Sequence, residues 1–503
     1  MSSLRNLRVR DFSGGPNLRD AQSELAKNEC VDAWNVTFDE RGGVSSRLGY
    51  QKVNGSVYGG GLVKNVYYSP LLGEYITQAG ASLYLGTNTT IRKTFTTSAR
   101  VVFVDFGATV VALHPVDGLF TSADGITWAA VADVDAPKGS CMAVWQNKVW
   151  VSGHAAAPAR LYFSDVGSVT SWTASSFNDL REKDTQPIVA LSGAAGVDTI
   201  GRPGLLVFKR ESTYRVYDST TGAYQTVDSR IGAASALSVV TLNNRTIALS
   251  QHGLYWTDGV NPMKNAGERF EPLWEPTQVN FAQLDLWAAG ARFNRAYFSL
   301  TRAGSTANDL ALEYHPEEGW VTPGSNAMSA YATFGASTEK LYGGSPTVSG
   351  QVYELLVTGA DDGVAIDSRF QTRWFEPGDG FLARLRRARL LGRTGGLTIT
   401  VTVRRDYQTS AGDDLPVIID ELDTESYDSG VFYDSGALYG TPAAQAYHDE
   451  HSLGTCKAFS LRITASTSTV GNTLQLLASG TGPEVGAWAF FGFDLLFVPL
   501  GIA

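Results

Sequence analysis

The chain has 503 residues, 43% hydrophobic and 18% charged, with 53 glycines, 11% aromatics and four methionines. This is enough apolar matter for a sizeable core with many tight turns between short strands, and it excludes a disordered chain, a helix bundle and a coiled coil. A net charge of −10 excludes a protein that wraps nucleic acid on a broad basic surface, though not one that lets DNA pass without gripping it.

In chain order, residues 1–54 read as an N-terminal arm with its first strands. MSSLRNLRVRDFSGG lacks the apolar stretch of a signal peptide, so folding in a cytoplasm is expected. Gly14-Gly15-Pro16 and Asn17 form a turning lead, Asp20–Ala26 has room for one or two helical turns, Ala33–Phe38 is a strand, Glu40–Gly43 a turn, and Val44–Val53 continues the strand pattern.

From 55 to 370 the pattern is short and strand-like. Val101–Val104, Thr109–Leu113, Lys148–Val151, Leu205–Phe208, Tyr214–Tyr217, Arg245–Leu249 and Arg295–Leu300 are rich in β-branched and aromatic residues and bounded by Gly, Asn, Asp or Ser. Asn243-Asn244 and Asp124-Gly125 suit turns with positive φ. An aromatic-containing strand recurs at Leu83-Tyr84, Leu119-Phe120, Leu161-Tyr162, Tyr214, Leu254-Tyr255, Leu310–Tyr314 and Val352-Tyr353. GLFTSADGITW (118–128), RLYFSDVGSVTSW (160–172) and GLYWTDGV (253–260) each follow that strand with a Ser/Thr-Asp turn. A unit of this size with three or four short strands is a propeller blade, which must stack with others to bury its faces. Six to seven such units fit.

Residues 371–503 read as a C-terminal β-sandwich, with longer strands at Phe381–Leu391, Leu397–Arg404, Ala458–Ala465, Thr473–Ala478 and Trp488–Phe497. Ala443–His451 is a second place for a helical turn. The apolar end, Val485–Ala503, is interrupted by Asp494 and Pro499 and reads as a strand, not a membrane span. Residues 413–434 hold eight acids and no Lys or Arg, and repeat YDSG at 427–430 and 433–436. They are expected to form an exposed loop or hairpin.

Chemistry-bearing patterns are few. Cys30, Cys141 and Cys456 are odd in number and far apart, which excludes a disulfide framework or a cysteine-rich metal site. Of His114, His154, His252, His315, His448 and His451 only the last two cluster, without zinc-protease spacing. Phosphate loops, nucleophile elbows and EF-hand spacing are absent. The expectation is no catalytic residue, no cofactor and no metal. Ser122-Ala-Asp-Gly-Ile-Thr-Trp128 resembles a shortened Asp-box of sialidase-like propellers, a motif whose physics is structural: Asp accepts turn N–H groups, Gly supplies positive φ, and Trp packs between blades.

The basic feature is LARLRRARLLGR (382–393). Strand alternation puts Arg384 and Arg386 on one face and Arg387 and Arg389 on the other. Such a strand reads as a charge-protected edge, as a DNA contact, or as a subunit interface that meets acids of a neighbour. In the interface reading, Asp420, Glu421, Asp423 and Glu425 are the acidic candidates.

Phe12-Ser-Gly-Gly, Asn17-Leu-Arg-Asp20, Asp32-x-x-Asn35-Val36, Gly42/Gly43 and Arg47-x-Gly49 together resemble the opening of many bacteriophage tail proteins, with Pro16 in place of a more usual aliphatic residue. Residues 187–259 resemble the propeller of tail hub or nozzle proteins of short-tailed phages. The resemblance implies a structural virion protein made in the host cytoplasm, without catalytic residues and without a membrane span. It would form a homo-oligomeric ring, six-fold by that likeness, around the DNA-ejection channel. Its partners would be the adaptor and fibres, with genomic DNA passing transiently. The alternatives are a minor tail or tail-tip protein of a long-tailed phage, and a glycan-binding propeller acting in host recognition.

Overall fold

The structure is a computed structural model. It describes residues 5–39, 42–181, 186–195, 204–334, 339–376, 383–393, 399–407, 415–419, 444–447, 455–456, 459–466 and 489–499. Two compact units are present. One comprises residues 51–319 and 325–355, the other residues 1–50, 320–324 and 356–503.

The first unit is a β-propeller. Its strands fall into seven sheets, which begin with Val63–Ser69, Val102–Phe106, Cys141–Trp145, Ile188–Ala195, Val239–Leu242, Ala288–Arg292 and Tyr331–Phe334. Each first strand lies against the first strand of the next sheet, and that of the seventh lies against that of the first, so the sheets close into a ring. The Gln146-Asn147 and Asn243-Asn244 hairpins have φ of +52°, +54°, +50° and +59°, the paired left-handed turn that matches strand twist.

The cores lie between blades. Trp145, Trp150 and Phe163 of the third sheet pack with Ile188, Leu205 and Val207 of the fourth. Val111 and Leu113 pack with Val149 and Val151. Tyr58, Val63 and Tyr75 pack with Tyr342 and Val352 across the closure. Trp150 is fully buried, and truncating such a side chain costs about 3–5 kcal/mol.

The ring is sealed by a strand from before the first blade. Gly49–Lys52 is the outer strand of the seventh sheet. Next to it, Val53 N–H donates to Val352 O at 3.0 Å. Asn54 Nδ2 donates to Gly350 O at 2.8 Å, while its Oδ1 accepts from Gln351 Nε2 at 2.7 Å and Val352 N–H at 2.9 Å. Two 3-10 helices, Glu268–Trp274 and Phe281–Leu286, lie in the connection between the fifth and sixth sheets. The sequence showed no helical periodicity there, because turns this short carry none.

The second unit is a β-sandwich. One sheet runs Ala444–Tyr447, Ala383–Arg393, Ala489–Pro499, Val44–Ser46, Val36–Phe38, with Arg5–Val9 also on Ala489–Pro499 and Thr455–Cys456 on Ala383–Arg393. The other runs Gly15–Pro16, Glu29–Trp34, Asp367–Thr372, Phe459–Ser466, Ile399–Arg405, Leu415–Ile419. Phe38 of the first sheet and Phe370 of the second meet at 6.2 Å, and Phe12 packs edge-on against Phe370 at 5.1 Å.

Several expectations change here. The strands before Gly49 do not form a separate arm; they belong to both sheets of the sandwich, while Gly49–Lys52 joins the seventh propeller sheet. Glu29–Trp34 pairs with Asp367–Thr372 and so covers an edge that this strand would otherwise leave open. The single strand expected over Ala33–Phe38 breaks at Asn35, whose φ is +54°. Asp20–Ala26 contains a turn instead of a helix, and Ala444–Tyr447 is a strand paired with Arg389–Gly392. The strand expected at Thr473–Ala478 lies outside the described residues. Among the described residues no helix is long and apolar enough to cross a membrane.

Candidate functional site

The signature residues of the N-terminal region come together in the sandwich, and each has a physical job. Asn17 Oδ1 accepts the N–H groups of Arg19 and Asp20, both at 3.1 Å, which fixes the turn after Gly15-Pro16. Gly15 has φ of +67°, and a Cβ there would lie 2.6 Å from Trp320 Cβ. Asp32 pairs with Arg369. Asn35 Nδ2 donates to Asp367 O at 2.8 Å, and its Oδ1 accepts from Arg47 Nε at 2.8 Å. The Arg47 fork then grips both oxygens of Asp361, with Nη1 at 2.8 Å from Oδ1. A Cβ on Gly49 would lie 2.1 Å from Ala360 O. The motif is therefore a set of folding determinants, and its polar groups are consumed internally.

The repeated Asp turns of the propeller are also structural. Ser122 Oγ accepts Gly125 N–H at 2.9 Å, while Asp124 Oδ1 accepts the N–H groups of Ile126 and Thr127, both at 2.8 Å. Gly125 has φ of +70°, and Trp128 packs against Phe103. The N–H groups of Thr127 and then Ile126 hold the Asp124 carboxyl below its usual range, and the N–H of Thr220 does the same for Asp218. Asp165 and Asp258 accept turn hydroxyl and N–H groups in the same way.

His114, His315, Cys30 and Cys141 are packed into the fold, whereas His252 is exposed. His114 is buried against Phe95, stacked at 4.7 Å, and its Nδ1 accepts Asp117 N–H at 3.0 Å. Burial pushes its pKa down, with Asp117 opposing. Cys30 and Cys141 are buried, and burial raises both thiols, so neither is a reactive thiolate at neutral pH. His448 and His451 lie outside the described residues.

A charged bridge crosses the propeller ring. Arg100, in the connection between the first and second sheets, donates Nε to Lys64 O at 3.1 Å, Nη1 to Asp285 O at 2.8 Å and Nη2 to Ser329 O at 3.2 Å. Asp285 precedes the sixth sheet and Ser329 the seventh. The contact to Asp285 thus joins connections as far apart as a ring of seven allows. Arg210, in a hairpin of the fourth sheet, donates Nη2 to Asp285 Oδ1 at 2.6 Å. Desolvation lowers the Arg100 guanidinium to about 10, so it stays charged at neutral pH.

The arginines proposed from sequence lie on the strand Ala383–Arg393, which is interior to its sheet instead of at an edge. Ala489–Pro499 flanks it on one side, and Thr455–Cys456 and Ala444–Tyr447 on the other. A register shift between Leu385 and Arg387 inserts Arg386 as an extra residue, so Arg384, Arg387 and Arg389 lie opposite Val498, Leu496 and Asp494. The simple alternation expected for these residues is broken by that bulge. Asp420, Glu421, Asp423 and Glu425 lie outside the described residues.

No protein-family model matches the chain, and no curated protein matches it in sequence. Solved structures resemble it in fold. BamB from Moraxella catarrhalis has a TM-score of 0.37 at 12% identity, over 70% of this chain and 97% of that one. YCF48 from Cyanidioschyzon merolae has a TM-score of 0.39 at 8% identity, over 61% and 98%. An ancestral GH74 enzyme has a TM-score of 0.36 at 13% identity, over 64% of this chain and 38% of that one. The closed ring rests on this chain's own strand pairing, not on these likenesses.

Sequence reasoning did not find Lys64, Arg100, Arg210 and Asp285. They are scattered over 222 positions, and no motif links them; only the ring brings them together.

Proposed function

We propose that this protein is a structural subunit of a bacteriophage tail, a nozzle or hub component that assembles into a homo-oligomeric ring around the DNA-ejection channel. One observation supports this most. The residues that resemble the opening of phage tail proteins are the ones that pin the sandwich together: Phe12 in its core, Asn17 in the turn, Asp32 on Arg369, and Asn35 with Arg47 on Asp361. A likeness carried by folding determinants is a likeness of architecture, which is what a structural protein shares with its relatives.

The role proposed is assembly without catalysis. The recurrent propeller carboxylates are spent on turn N–H groups, and the described residues hold no cluster of metal-ligating side chains. Arg384, Arg386, Arg387 and Arg389 would meet the acids at 420–425 of a neighbour. Head-to-tail contacts of that kind close a ring without self-complementary surfaces.

Electron microscopy of the purified protein tests the reading. The expected result is closed rings with a central lumen, together with the protein's presence in purified tails. A protein that stays monomeric at all concentrations and is missing from tails overturns it.

A further inference from the structure

In the sixth blade an exposed aromatic side chain sits in a backbone conformation that does not suit it. Phe293 and Asn294 form the two-residue turn between the paired residues Arg292 and Arg295, and Phe293 has φ of +50°. The same place in the fifth blade holds Asn243, also at +50°, a residue that the left-handed region suits. A bulky side chain is strained there, and Phe293 recovers little by packing, since it is 57% exposed. The turn is nevertheless braced on both sides. Phe293 N–H donates to a Glu339 carboxylate oxygen. Arg292 donates Nε to Glu339 O at 2.9 Å and Nη1 to Leu355 O at 3.2 Å, and it lies 4.8 Å over the Phe293 ring. Asn294 Oδ1 accepts from Asn243 Nδ2. That last bond ties the turn to a pair of cations. Arg245, two residues beyond Asn243, lies 4.5 Å over the Trp256 ring, and Lys264, on the strand at the other side of Trp256, lies 4.9 Å over the same ring. Arg245 donates Nη1 to Pro316 O at 3.4 Å, and neither cation has a carboxylate partner among the described residues. Asp258 accepts the N–H groups of Val260 and Asn261, and Glu313 pairs with Arg295. Glu317 and Glu318, just after Pro316, are exposed and form no ion pair with Arg245 among the described residues.

We propose that the Phe293 turn and the Arg245–Trp256–Lys264 stack form a docking surface for an acidic segment of a partner polypeptide. Phe293 is the apolar anchor. It is braced before the partner arrives, so little ordering accompanies binding. Strain at an exposed side chain is offset only by a contact that the free fold does not contain. The stack supplies the charge. The indole holds two cations in place without neutralising them, so carboxylates of a partner gain charge-assisted hydrogen bonds there. A nucleic acid fits less well. Two cations in a chain of net charge −10 make no broad basic surface, and they already cover the indole on which a base would stack. Trp, Arg and Phe are also the side chains in which protein interfaces are enriched. This surface stands independently of the tail assignment, because all its residues belong to the propeller and it needs no ring.

Thermal unfolding of the full chain, and fluorescence anisotropy with a labelled peptide of Glu-Glu-Leu repeats as the probe, test the proposal. Phe293→Asn puts a residue suited to this φ in the turn and should raise the thermal midpoint by about 2 °C. The same substitution should weaken peptide binding at least about tenfold, the weight of an anchor residue. A side chain with a merely structural role would lower the midpoint instead. Saturable binding that falls with salt is expected. Arg245→Gln and Lys264→Gln should each weaken it about tenfold, while Lys27→Met, an exposed change outside the propeller, should leave it unchanged. A midpoint for Phe293→Asn at or below that of the native chain, absence of peptide binding, or binding that none of the three substitutions weakens overturns the surface. Tighter binding of an oligothymidylate than of the peptide overturns the polypeptide partner in favour of a nucleic acid.

Discussion

Arg47 and Asp361 stand 314 positions apart in the chain and meet as a two-pronged, buried ion pair. Arg47 is 4% exposed and Asp361 13%, so the guanidinium in particular has little water to replace its partner. The same guanidinium braces Asn35 through Nε and Leu48 through Nη1. Removing one partner of such a pair strands the other. Arg47→Ala should cost about 3–5 kcal/mol of the sandwich's stability. Arg47→Lys should recover only part of this, since an ammonium cannot span both oxygens. Denaturant unfolding followed by a probe in the sandwich measures both, and equal stability of the Lys variant and the native chain would contradict the role given to the fork.

Asn35 separates conformational from hydrogen-bonding cost. Its φ of +54° suits Asn and Gly but strains other residues. Asn35→Gly should lose only the amide's bonds to Asp367 and Arg47. Asn35→Ala should lose those and add about 1 kcal/mol of left-handed strain. A thermal midpoint for the Ala variant at or above that of the Gly variant would refute this.

The ring closure depends on Asn54, which is fully buried and joins Gly350, Gln351 and Val352. Asn54→Ala leaves buried groups without partners and should cost about 2–3 kcal/mol. Hydrogen exchange should rise in Tyr331–Phe334 and Val352–Thr358 before it rises in the third and fourth blades. Uniform exchange across all seven blades would argue that closure is not the weak point.

His114 gives a pH dependence of known sign. Burial lowers its folded pKa below the ordinary 6.5. Above that value both folded and unfolded forms are neutral and stability is full. As pH falls below it the unfolded chain takes up a proton that the folded chain resists, so stability drops until the folded pKa is reached. His315, lowered by burial and then by Arg295, acts in the same direction. His114→Gln should flatten the loss between about pH 7 and pH 5, leaving the His315 share. An unchanged slope by calorimetry would show that His114 does not titrate this way.

Ring assembly is probed by Arg386→Glu with Arg387→Glu. The expected outcome is impaired assembly with a folded monomer, read by sedimentation and circular dichroism. Normal rings at physiological salt would remove these arginines from the interface.

The all-β class and the blade repeat were legible in the sequence, because hairpins are local. Arg295–Leu300 was predicted to the residue, and the Asp124 turn was expected from its motif, with Asp accepting turn N–H groups and Gly125 at positive φ. Each depends on alternation and turn chemistry within about a dozen residues. The N-terminal signature was legible as a pattern but not as a mechanism, since Asp32, Asn35 and Arg47 act on Arg369, Asp367 and Asp361, which no local rule connects to them.

What the amino-acid order determined by itself was therefore the local strands and turns of the repeating unit. These follow from steric limits on φ and from side-chain periodicity, which act over a few bonds. The tertiary structure alone decided how the first 50 residues are used. It also decided that the arginine strand lies inside a sheet, with a bulge at Arg386, and that Lys64, Arg100, Arg210 and Asp285 share the axis of the ring. Strand order and ring closure arise from burying the faces and edges that distant segments leave open. That free energy belongs to pairs of segments, and no single segment carries it in its own sequence.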